Sequence, residues 1–514
     1  MVRLLSGTPA WRGLLHQEGI PFDTGLPGTD TALLVLDIRP EPGDVGALRG
    51  FLGRGGALLS AASHAAPLLP ELKTGARRLR ALSPDATPLF ASVGVVHLDT
   101  PGLAAGSANA GDSGRRKAIY FGPLPGGGPG VLLPFELDPL LLDRSTAFRV
   151  FPAVAPRPVS EAVARVSRGE LRRLVTNCLR WLLGQRGLPL VRLGRSPIDT
   201  DSGFGLRVDT DFDSSDHLDQ LAALVRQSGI RATVFVNTGA RPGSLAADVA
   251  KLRGQDIQVH CHRHQVFPTY EDNLANMTQA VELLRTAGIA PEGAAGPFGD
   301  WNPSWDRALA QLGIGFSSEF AAGFDDLPFR PLVGGGESSV LQVPVHPIAP
   351  DRLLAARADP AQVSDYFRRL IDRQAARQEP CFIYGHPANL GRLSREVQEV
   401  IDHGRRACGG SLTMTDYARW WRVRERIRYS ARVSGGTLTL ETDEARGVDV
   451  VVDRGGSQAR LRLRPGTLSL DALSWHPVPR PAGFTAGELA VQTGRHWRVV
   501  AREMLRSTRR QTTA

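Results

Sequence analysis

The feature that most constrains the fold is a regular alternation of strand-like and helix-like stretches from Phe204 to about Trp421. Short apolar stretches alternate there with longer stretches whose apolar residues recur at helical spacing. Repeated β-α units of this kind predict a parallel sheet, either open or closed into a barrel. The predicted strands are 204–208, 232–237, 257–260, 314–317, 340–343 and 381–384, and the predicted helices are 216–227, 245–252, 273–286, 305–312 and 363–376.

The regions on either side of this alternation predict further structure, because 514 residues are too many for one ordinary core. Residues 1–192 have the pattern of an α/β unit, with strands at 31–37 and 55–60 and helices at 45–52 and 170–183. Within it, residues 100–135 are rich in Gly, Pro and Ser and predict a loop. Residues 189–202 predict a linker. After Ile427, short alternating strands separated by glycine pairs predict a small β-sandwich.

Charge and composition exclude several classes of protein. The net charge of +9 comes almost wholly from arginines that are scattered among acids, which argues against a nucleic-acid-binding stripe and leaves a preference for anionic substrates open. The four cysteines form no CxxC pair, so no disulfide framework is expected. We find no signal-peptide pattern and no apolar run long enough to span a membrane. The sequence therefore predicts a soluble, cytoplasmic protein.

Residues with ligand or acid–base chemistry fall at or just past the ends of predicted strands. They are Asp209, Asp211, His260, His264 and His386. In a barrel of parallel strands, functional groups collect at the carboxyl ends of the strands. Two acids that are two residues apart in an extended segment point the same way, so both carboxylates are expected to face one site. Residues 214–216 already supply helix-capping groups, so the two acids are not needed as caps.

The histidines at 260 and 264 are four residues apart and follow a predicted strand. On one helical turn they would share a face and reach one ion. The alternative is a solvated polar loop, in which His262 would take part. Together with the two acids, the histidine pair favours a divalent-metal site that leaves one carboxylate for proton transfer. This combination indicates a metal-dependent hydrolase.

Four motifs in order resemble the polysaccharide deacetylase family, NodB-like carbohydrate esterases built on an irregular (β/α) barrel. The resemblance covers roughly Phe204 to Trp421. The motifs are Arg207-Val208-Asp209-Thr210-Asp211, similar to the family's acid pair; His260-Cys261-His262-Arg263-His264; Gly296-Pro297-Phe298-Gly299; and Ile383-Tyr384-Gly385-His386-Pro387, similar to its late Leu-x-His.

The resemblance implies a role for each matching residue. Asp209 would be the general base for the attacking water, and His386 would protonate the leaving amine. Asp211, His260 and His264 would bind the metal, for which zinc is the first expectation and cobalt, nickel or manganese would also suit. Substrate would be contacted by Pro297, Phe298, Gly299 and Trp301, with Trp301 in a loop suited to stacking on a sugar ring.

The sequence departs from the family pattern in ways that leave alternatives open. Ala295 stands where the family has an arginine that helps to hold the base, and Arg207 or Arg330 are candidates to replace it. The Asp-x-Asp spacing does not decide which acid is the base, although Asp209 is preferred. His346 competes with His386 for the role of the acid.

Residues 1–192 resemble class I glutamine-amidotransferase-like domains in their strand–helix–strand order and in the glycine pair at Gly55-Gly56. Those enzymes need a cysteine nucleophile, and no cysteine precedes Cys178. The resemblance therefore implies a non-catalytic α/β domain, open to a protein partner or to oligomer formation.

We expect three parts in all: an amidotransferase-like α/β domain at 1–192, a deacetylase-like barrel at 203–425 and a β domain at 427–505. The expected activity is metal-dependent hydrolysis of an N-acyl (acetyl) group on a carbohydrate or glycan precursor, with no nucleic-acid partner. One alternative is a hydrolase of a non-sugar C–N bond such as a cyclic amide. Another is a catalytically inactive carbohydrate-binding or scaffold protein, which the loss of arginine at Ala295 favours.

Overall fold

A computed structural model describes residues 1–114, 116–197, 202–443, 447–494, 496, 497, 499 and 501. The chain forms two compact units. The first contains Met1–Asp143, Val166–Gly194 and Arg422–Arg480, and the second contains Arg144–Arg165, Arg195–Trp421 and the described residues from Pro481 onward. None of the helices in the described ranges combines the length and apolar content that crossing a bilayer requires.

The elements are as follows. The strands are β1 (Val2–Leu4), β2 (Phe22–Thr24), β3 (Leu33–Leu36), β4 (Ala57–Ala61), β5 (Thr74–Leu82), β6 (Val96–Ala105), β7 (Ala110–Ser113), β8 (Arg116–Pro123), β9 (Pro129–Leu133), β10 (Thr146–Phe151), β11 (Val159–Ala164), β12 (Leu190–Leu193), β13 (Phe204–Asp209), β14 (Thr233–Asn237), β15 (Asp256–Cys261), β16 (Gly293–Ala294), β17 (Phe316–Ser317), β18 (Leu332–Val333), β19 (Gly336–Glu337), β20 (Leu341–Gln342), β21 (Cys381–Gly385), β22 (Tyr429–Ser434), β23 (Thr437–Thr442), β24 (Asp449–Arg454), β25 (Ser457–Arg462), β26 (Gly466–Ser469) and β27 (His476–Pro477).

The α-helices are α1 (Pro9–Glu18), α2 (Val45–Gly53), α3 (Ala62–Ala65), α4 (Leu137–Leu141), α5 (Arg168–Gln185), α6 (Ser215–Ser228), α7 (Leu245–Lys251), α8 (Tyr270–Thr286), α9 (Pro303–Gln311), α10 (Pro350–Ala355), α11 (Pro360–Ala376), α12 (Pro387–Arg392), α13 (Ser394–Ala407), α14 (Met414–Arg426) and α15 (Ala486–Thr493). Short 3-10 helices lie at Pro88–Phe90, Pro297–Gly299 and Leu470–Ala472.

The first unit is built on a seven-stranded sheet in the order β2-β1-β3-β4-β9-β8-β7. The strands from β2 to β9 in this order are parallel, and β8 and β7 continue the sheet in antiparallel fashion. β3 and β4 are buried along their whole length, as the apolar runs at 31–37 and 55–60 predict. The α/β character of this unit agrees with the sequence, while its likeness to amidotransferases stays a prediction.

The loop expected at residues 100–135 is wrong, because β6, β7, β8 and β9 occupy most of that segment. The glycines that suggested a loop form a turn between antiparallel β8 and β9. Gly126, Gly127 and Gly128 all have positive φ, a conformation that glycine adopts at little cost. The glycine cluster is therefore a tight hairpin connection and not a long irregular stretch.

The strands after Ile427 also belong to the first unit. β22, β23 and β26 form one antiparallel sheet, and β24, β25 and β27 form another in which β12 is the edge strand. β12 lies inside the segment 189–202 that we expected to be a linker, and residues 198–201 of that segment lie outside the described residues. The β-sandwich assignment, the three domain bounds and the end of the third domain at 505 stay predictions.

The second unit is organised by a parallel seven-stranded sheet in the order β20-β17-β16-β15-β14-β13-β21. Helices α6 to α9 connect successive strands from β13 to β17, as the predicted β-α alternation requires. β13, β14 and β15 are buried at every position because the sheet is covered on both faces. The backbone N–H of His346, just beyond edge strand β20, donates a 2.9 Å hydrogen bond to the Phe382 carbonyl in β21 at the other edge. The sheet thus curves toward the barrel that the sequence predicts.

Candidate metal and active site

Three predicted ligands meet beyond the carboxyl ends of neighbouring strands. Asp211 Oδ1 lies 3.1 Å from His260 Nε2 and 3.0 Å from His264 Nε2. The two imidazole nitrogens are 3.2 Å apart. Within the described residues these three form a group whose ligand atoms all lie within 4.8 Å of one another. β13 and β15 are separated in the sheet only by β14, so the parallel arrangement brings these side chains to the same edge.

The hydrogen bonding of His260 tests whether this group suits a metal ion. His260 Nδ1 lies 2.7 Å from the Ala295 carbonyl oxygen. A carbonyl can only accept, so Nδ1 carries the hydrogen and the Nε2 of the neutral ring presents a lone pair. That lone pair faces a second imidazole nitrogen and a carboxylate oxygen. Two imidazole nitrogens and one carboxylate oxygen are the ligand types that zinc and its first-row neighbours prefer, and the residues therefore fit a divalent metal.

His264 is held in place by helix α8. The Asn276 side chain accepts hydrogen bonds from the backbone of His262 and Arg263, at 3.2 and 2.6 Å, and donates to the Arg263 carbonyl at 3.0 Å. Asn273 fixes the far end of the same loop through Phe267. The short connection after β15 is thereby locked, and the His264 side chain is 6% exposed.

Asp211 is the only member of the group that lies in an unusual backbone conformation. Its φ is 37°, in the left-handed region where Asp and Asn are enriched among non-glycine residues. Burial raises the pKa of its carboxyl, but hydrogen bonds to His260 and His264 outweigh burial and hold the pKa well below its ordinary value. The carboxylate is therefore charged at any pH at which the protein is expected to be folded.

Asp209 has a different partner, Arg207. Both residues lie on β13, and the guanidinium donates to the two carboxylate oxygens at 2.8 and 2.6 Å. Arg207 is 1% exposed, lies between the rings of Phe235 and Tyr384, and also donates to Ser318. The arginine missing at Ala295 is thus replaced from within the strand that carries the acid. The two carboxylates thus have different hydrogen-bond partners, although both act through charge on His386. That they face one site stays a prediction.

His386 follows β21 and reaches the same site. Its Nε2 lies 3.4 Å from Asp211 Oδ2, and its Nδ1 lies 3.3 Å from Asp351 Oδ2 on α10. Burial lowers the pKa of the imidazole, but the carboxylates of Asp351 and Asp211 more than compensate and raise it to about 9. At neutral pH His386 is therefore an imidazolium able to donate a proton.

The remaining candidates lie elsewhere. His346 is buried against Asp325 and Tyr366, at 2.9 Å from each. Arg330 donates to the carbonyls of Ser338 and Ser339. His262 lies 3.1 Å from the Thr238 hydroxyl. By contrast, Arg207 donates to Asp209 and His386 lies 3.4 Å from Asp211, so the geometry favours His386 over His346 and Arg207 over Arg330.

The four predicted substrate contacts divide into two kinds. Pro297 and Gly299 are buried, and Gly299 has a φ of 67° with the Phe320 ring where a Cβ would lie, so only glycine fits. Phe298 is 47% exposed and its ring lies 4.9 Å from that of His264. Trp301 packs against the core of the unit, with the Arg144 guanidinium 6.0 Å from its ring. Of the four, Phe298 has the exposed ring beside the candidate metal ligands.

Phe212 is a neighbour of the site that the sequence interpretation missed. It is 72% exposed, and its ring centroid lies 5.0 Å from that of His264, with the two ring planes tilted relative to each other. Phe212 and Phe298 therefore both contact the His264 ring, and both leave apolar surface open to solvent. The signal was available in the sequence, since a large apolar residue directly after two acids at a strand end has no core to enter.

Neither the family models nor the curated proteins contain a match to this chain. Several solved structures resemble part of it. A Mycobacterium smegmatis structure provisionally described as a polysaccharide deacetylase is 16% identical, with 45% of this chain and 95% of that chain covered and a TM-score of 0.38. A carbohydrate esterase family 4 pseudoenzyme from Bacillus anthracis is 12% identical, with 44% and 70% covered and a TM-score of 0.31. A family 4 carbohydrate esterase from Streptomyces lividans in complex with acetate is 16% identical, with 40% and 88% covered and a TM-score of 0.28.

These structures include both esterases and a pseudoenzyme, and the similarity is remote. The function of this chain therefore has to be inferred from its own side chains.

Asp351 is a further residue that sequence reasoning missed, and no motif marks it. Its place beside His386 depends on the packing of α10 against α12, which strand and helix patterns do not specify.

Proposed function

We propose that this chain is a metal-dependent hydrolase that removes an N-acyl or O-acetyl group from a carbohydrate or glycan precursor. The observation that carries the proposal is the group formed by Asp211, His260 and His264, whose donor atoms converge while the Asp209 carboxylate is kept apart. A site with two imidazoles and a carboxylate as ligands, a separate carboxylate and a separate imidazolium has every group that amide hydrolysis needs.

Asp211, His260 and His264 would hold the metal, with zinc preferred and cobalt, nickel or manganese as alternatives. A divalent ion in such a site supplies an activated water at neutral pH and polarises the acyl oxygen. Asp209 accepts the proton of the attacking water, and the two hydrogen bonds from Arg207 hold its carboxylate in orientation. His386 donates a proton to the leaving nitrogen, which avoids expulsion of an amide anion. Asp351 holds the donating ring in orientation from its Nδ1 side.

The same contacts bear on the alternative of an inactive scaffold. That alternative was favoured by the loss of arginine at Ala295, which would leave the base unsupported. Since Arg207 makes a two-point ion pair with Asp209, the reason for expecting inactivity is removed. A substrate panel that measures acetate release and ring opening separates an acylated sugar from a cyclic amide.

Metal content is the first test of the proposal. The full chain, purified without added metal and then incubated with zinc or cobalt, is expected to hold about one divalent ion per chain by elemental analysis, because preorganised ligands bind with high affinity. His264→Ala is expected to hold much less, since it removes one of three ligands. His262→Ala is the matched control in the same loop and is expected to bind like wild type. Equal binding by wild type and His264→Ala would refute the site.

The exposed ring of Phe212 gives a test of where substrate lies. Phe212→Ala is expected to raise KM for an N-acetylated amino sugar about fivefold, because covering part of a phenyl ring is worth about 1 kcal/mol, while kcat changes little. Initial-rate kinetics measure both constants. Leu142→Ala, which removes another exposed apolar side chain in the first unit, is the control and is expected to leave KM unchanged. An unaltered KM in Phe212→Ala would place the substrate elsewhere.

A further inference from the structure

The hairpin β10–β11 belongs to the second unit although it precedes the β-α alternation in the sequence. Its residue Glu161 has a side chain only 7% exposed. That carboxylate accepts two hydrogen bonds from the guanidinium of Arg352 on α10, from Nε at 2.6 Å and from Nη2 at 2.8 Å. Two-point pairs of this kind fix orientation as well as distance. The hairpin is thus tied to a helix that is about 190 residues later in the chain.

The ion pair between Glu161 and Arg352 lies next to the residue that contacts His386, the candidate acid. Arg352 is adjacent in sequence to Asp351, whose Oδ2 lies 3.3 Å from His386 Nδ1. Helix α10 spans only Pro350–Ala355, and so short a helix has little stability of its own. The hairpin makes a second contact directly after α10. The Arg157 N–H, between β10 and β11, donates a 3.1 Å hydrogen bond to the Ala356 carbonyl. The position of Asp351 therefore depends on contacts made by the hairpin.

We propose that Glu161 and Arg352 are positioning residues that hold Asp351 against His386 and make the hairpin part of the active site. This inference rests on the proposed function only for the role of His386 as proton donor. Asp351 and Asp211 contact the imidazole directly, and Asp209 and Asp213 act on it through charge. The Tyr384 ring packs against it at 6.0 Å. Glu161 reaches this arrangement through the two hydrogen bonds that it accepts from Arg352.

The geometry gives the pair a signature that a general brace of the fold does not have. Glu161 and Arg352 act on His386 through Asp351, while the candidate ligands Asp211, His260 and His264 lie on other elements. Breaking the pair is therefore expected to loosen the contact between Asp351 and His386 and to leave the ligand group in place. The loss then falls on proton donation to the leaving group, so kcat changes while substrate binding does not.

The experiment compares Glu161→Gln, Arg352→Gln and the double variant in the full chain loaded with zinc. Initial-rate kinetics at one pH measure kcat and KM on an N-acetylated amino sugar. In each single variant kcat is expected to fall about tenfold while KM changes less than about twofold, because Asp351 is no longer held against the proton donor. The double variant is expected to fall no further than either single variant, since all three break the same pair. Zinc affinity by calorimetry is expected to stay at the wild-type value in all three.

An unchanged kcat in both single variants, a change in KM as large as the change in kcat, or weaker zinc binding would overturn the inference. The exposed pair Arg395–Glu399 is the control, and Arg395→Gln is expected to change neither constant. If the wild type has no turnover, the proposed function fails by itself. Hydrogen exchange of the full chain is then the measurement: faster exchange at residues 350–356 in both single variants is the expected result, and exchange equal to wild type there would overturn the inference.

Discussion

Replacing Asp209 by asparagine is expected to lower kcat on an N-acetylated amino sugar by about 10²–10⁴-fold, because the variant keeps the shape of the side chain and loses the proton acceptor. Among the described residues, the Asp209 carboxylate makes its hydrogen bonds and ion pair with Arg207 and not with the histidine pair. Asp209→Asn is therefore expected to bind zinc as wild type does. Steady-state kinetics and elemental analysis on the same preparation measure the two properties separately.

Asp211→Asn is the matched variant for this prediction. Its carboxylate lies between His260 and His264, so its loss is expected to weaken zinc binding as well as catalysis. The two variants make the same chemical change two residues apart. If Asp209→Asn lost zinc while Asp211→Asn retained it, the roles of base and ligand would have to be exchanged.

Replacing Arg207 by methionine is expected to lower the free energy of unfolding by about 3–5 kcal/mol, because it leaves the buried Asp209 carboxylate without its partner. The same change is expected to remove most activity, since the base is no longer held. Chemical denaturation measures the first effect. The loss is a large fraction of the roughly 5–15 kcal/mol that stabilises a typical domain, so the variant is expected to be close to unfolding.

The double variant Arg207→Met with Asp209→Asn keeps this prediction testable. Removing both charges takes away the buried unpaired group, and stability is expected to recover by more than about 1 kcal/mol relative to Arg207→Met. Arg330→Met is the control, because Arg330 donates to the Ser338 and Ser339 carbonyls. A drop in activity in Arg330→Met as large as in Arg207→Met would mean that the base depends on something other than its ion pair.

The candidate site could be predicted to the extent that local spacing and sheet geometry decide it. Two sequence features were enough to predict these residues at one edge of the sheet. His260 and His264 are four residues apart, and Asp211 and His386 lie at the ends of predicted strands. Arg207 was one of two open candidates, and the two-residue period of a strand favours it, since it shares a face with Asp209. The contacts of Asp351 and Glu161 could not be predicted from the sequence, because they depend on how α10 packs.

The fold, like the site, could be predicted where local sequence patterns decide it and not where distant packing does. The β-α alternation of the second unit follows from apolar periodicity, and the structure has strands at all six predicted positions. Residues 100–135 were misassigned because glycine and proline were taken to mark a loop, whereas in antiparallel strands they also mark the turns. The inclusion of Arg144–Arg165 in the second unit was not foreseen either. A hairpin that packs on residues about 190 positions later carries no local sign of that partner.

The left-handed backbone at Asp211 limits how this position can change over evolutionary time. At a φ of 37° a β-branched or bulky side chain is strained, whereas asparagine is accepted nearly as well as aspartate. Asparagine is one nucleotide away from either aspartate codon. Asparagine, one of the side chains that this backbone accepts, thus also removes the negative charge between the two histidines. On the proposed function, one nucleotide change of this kind takes a charged metal ligand from the chain while the fold is kept, and the reverse change restores it.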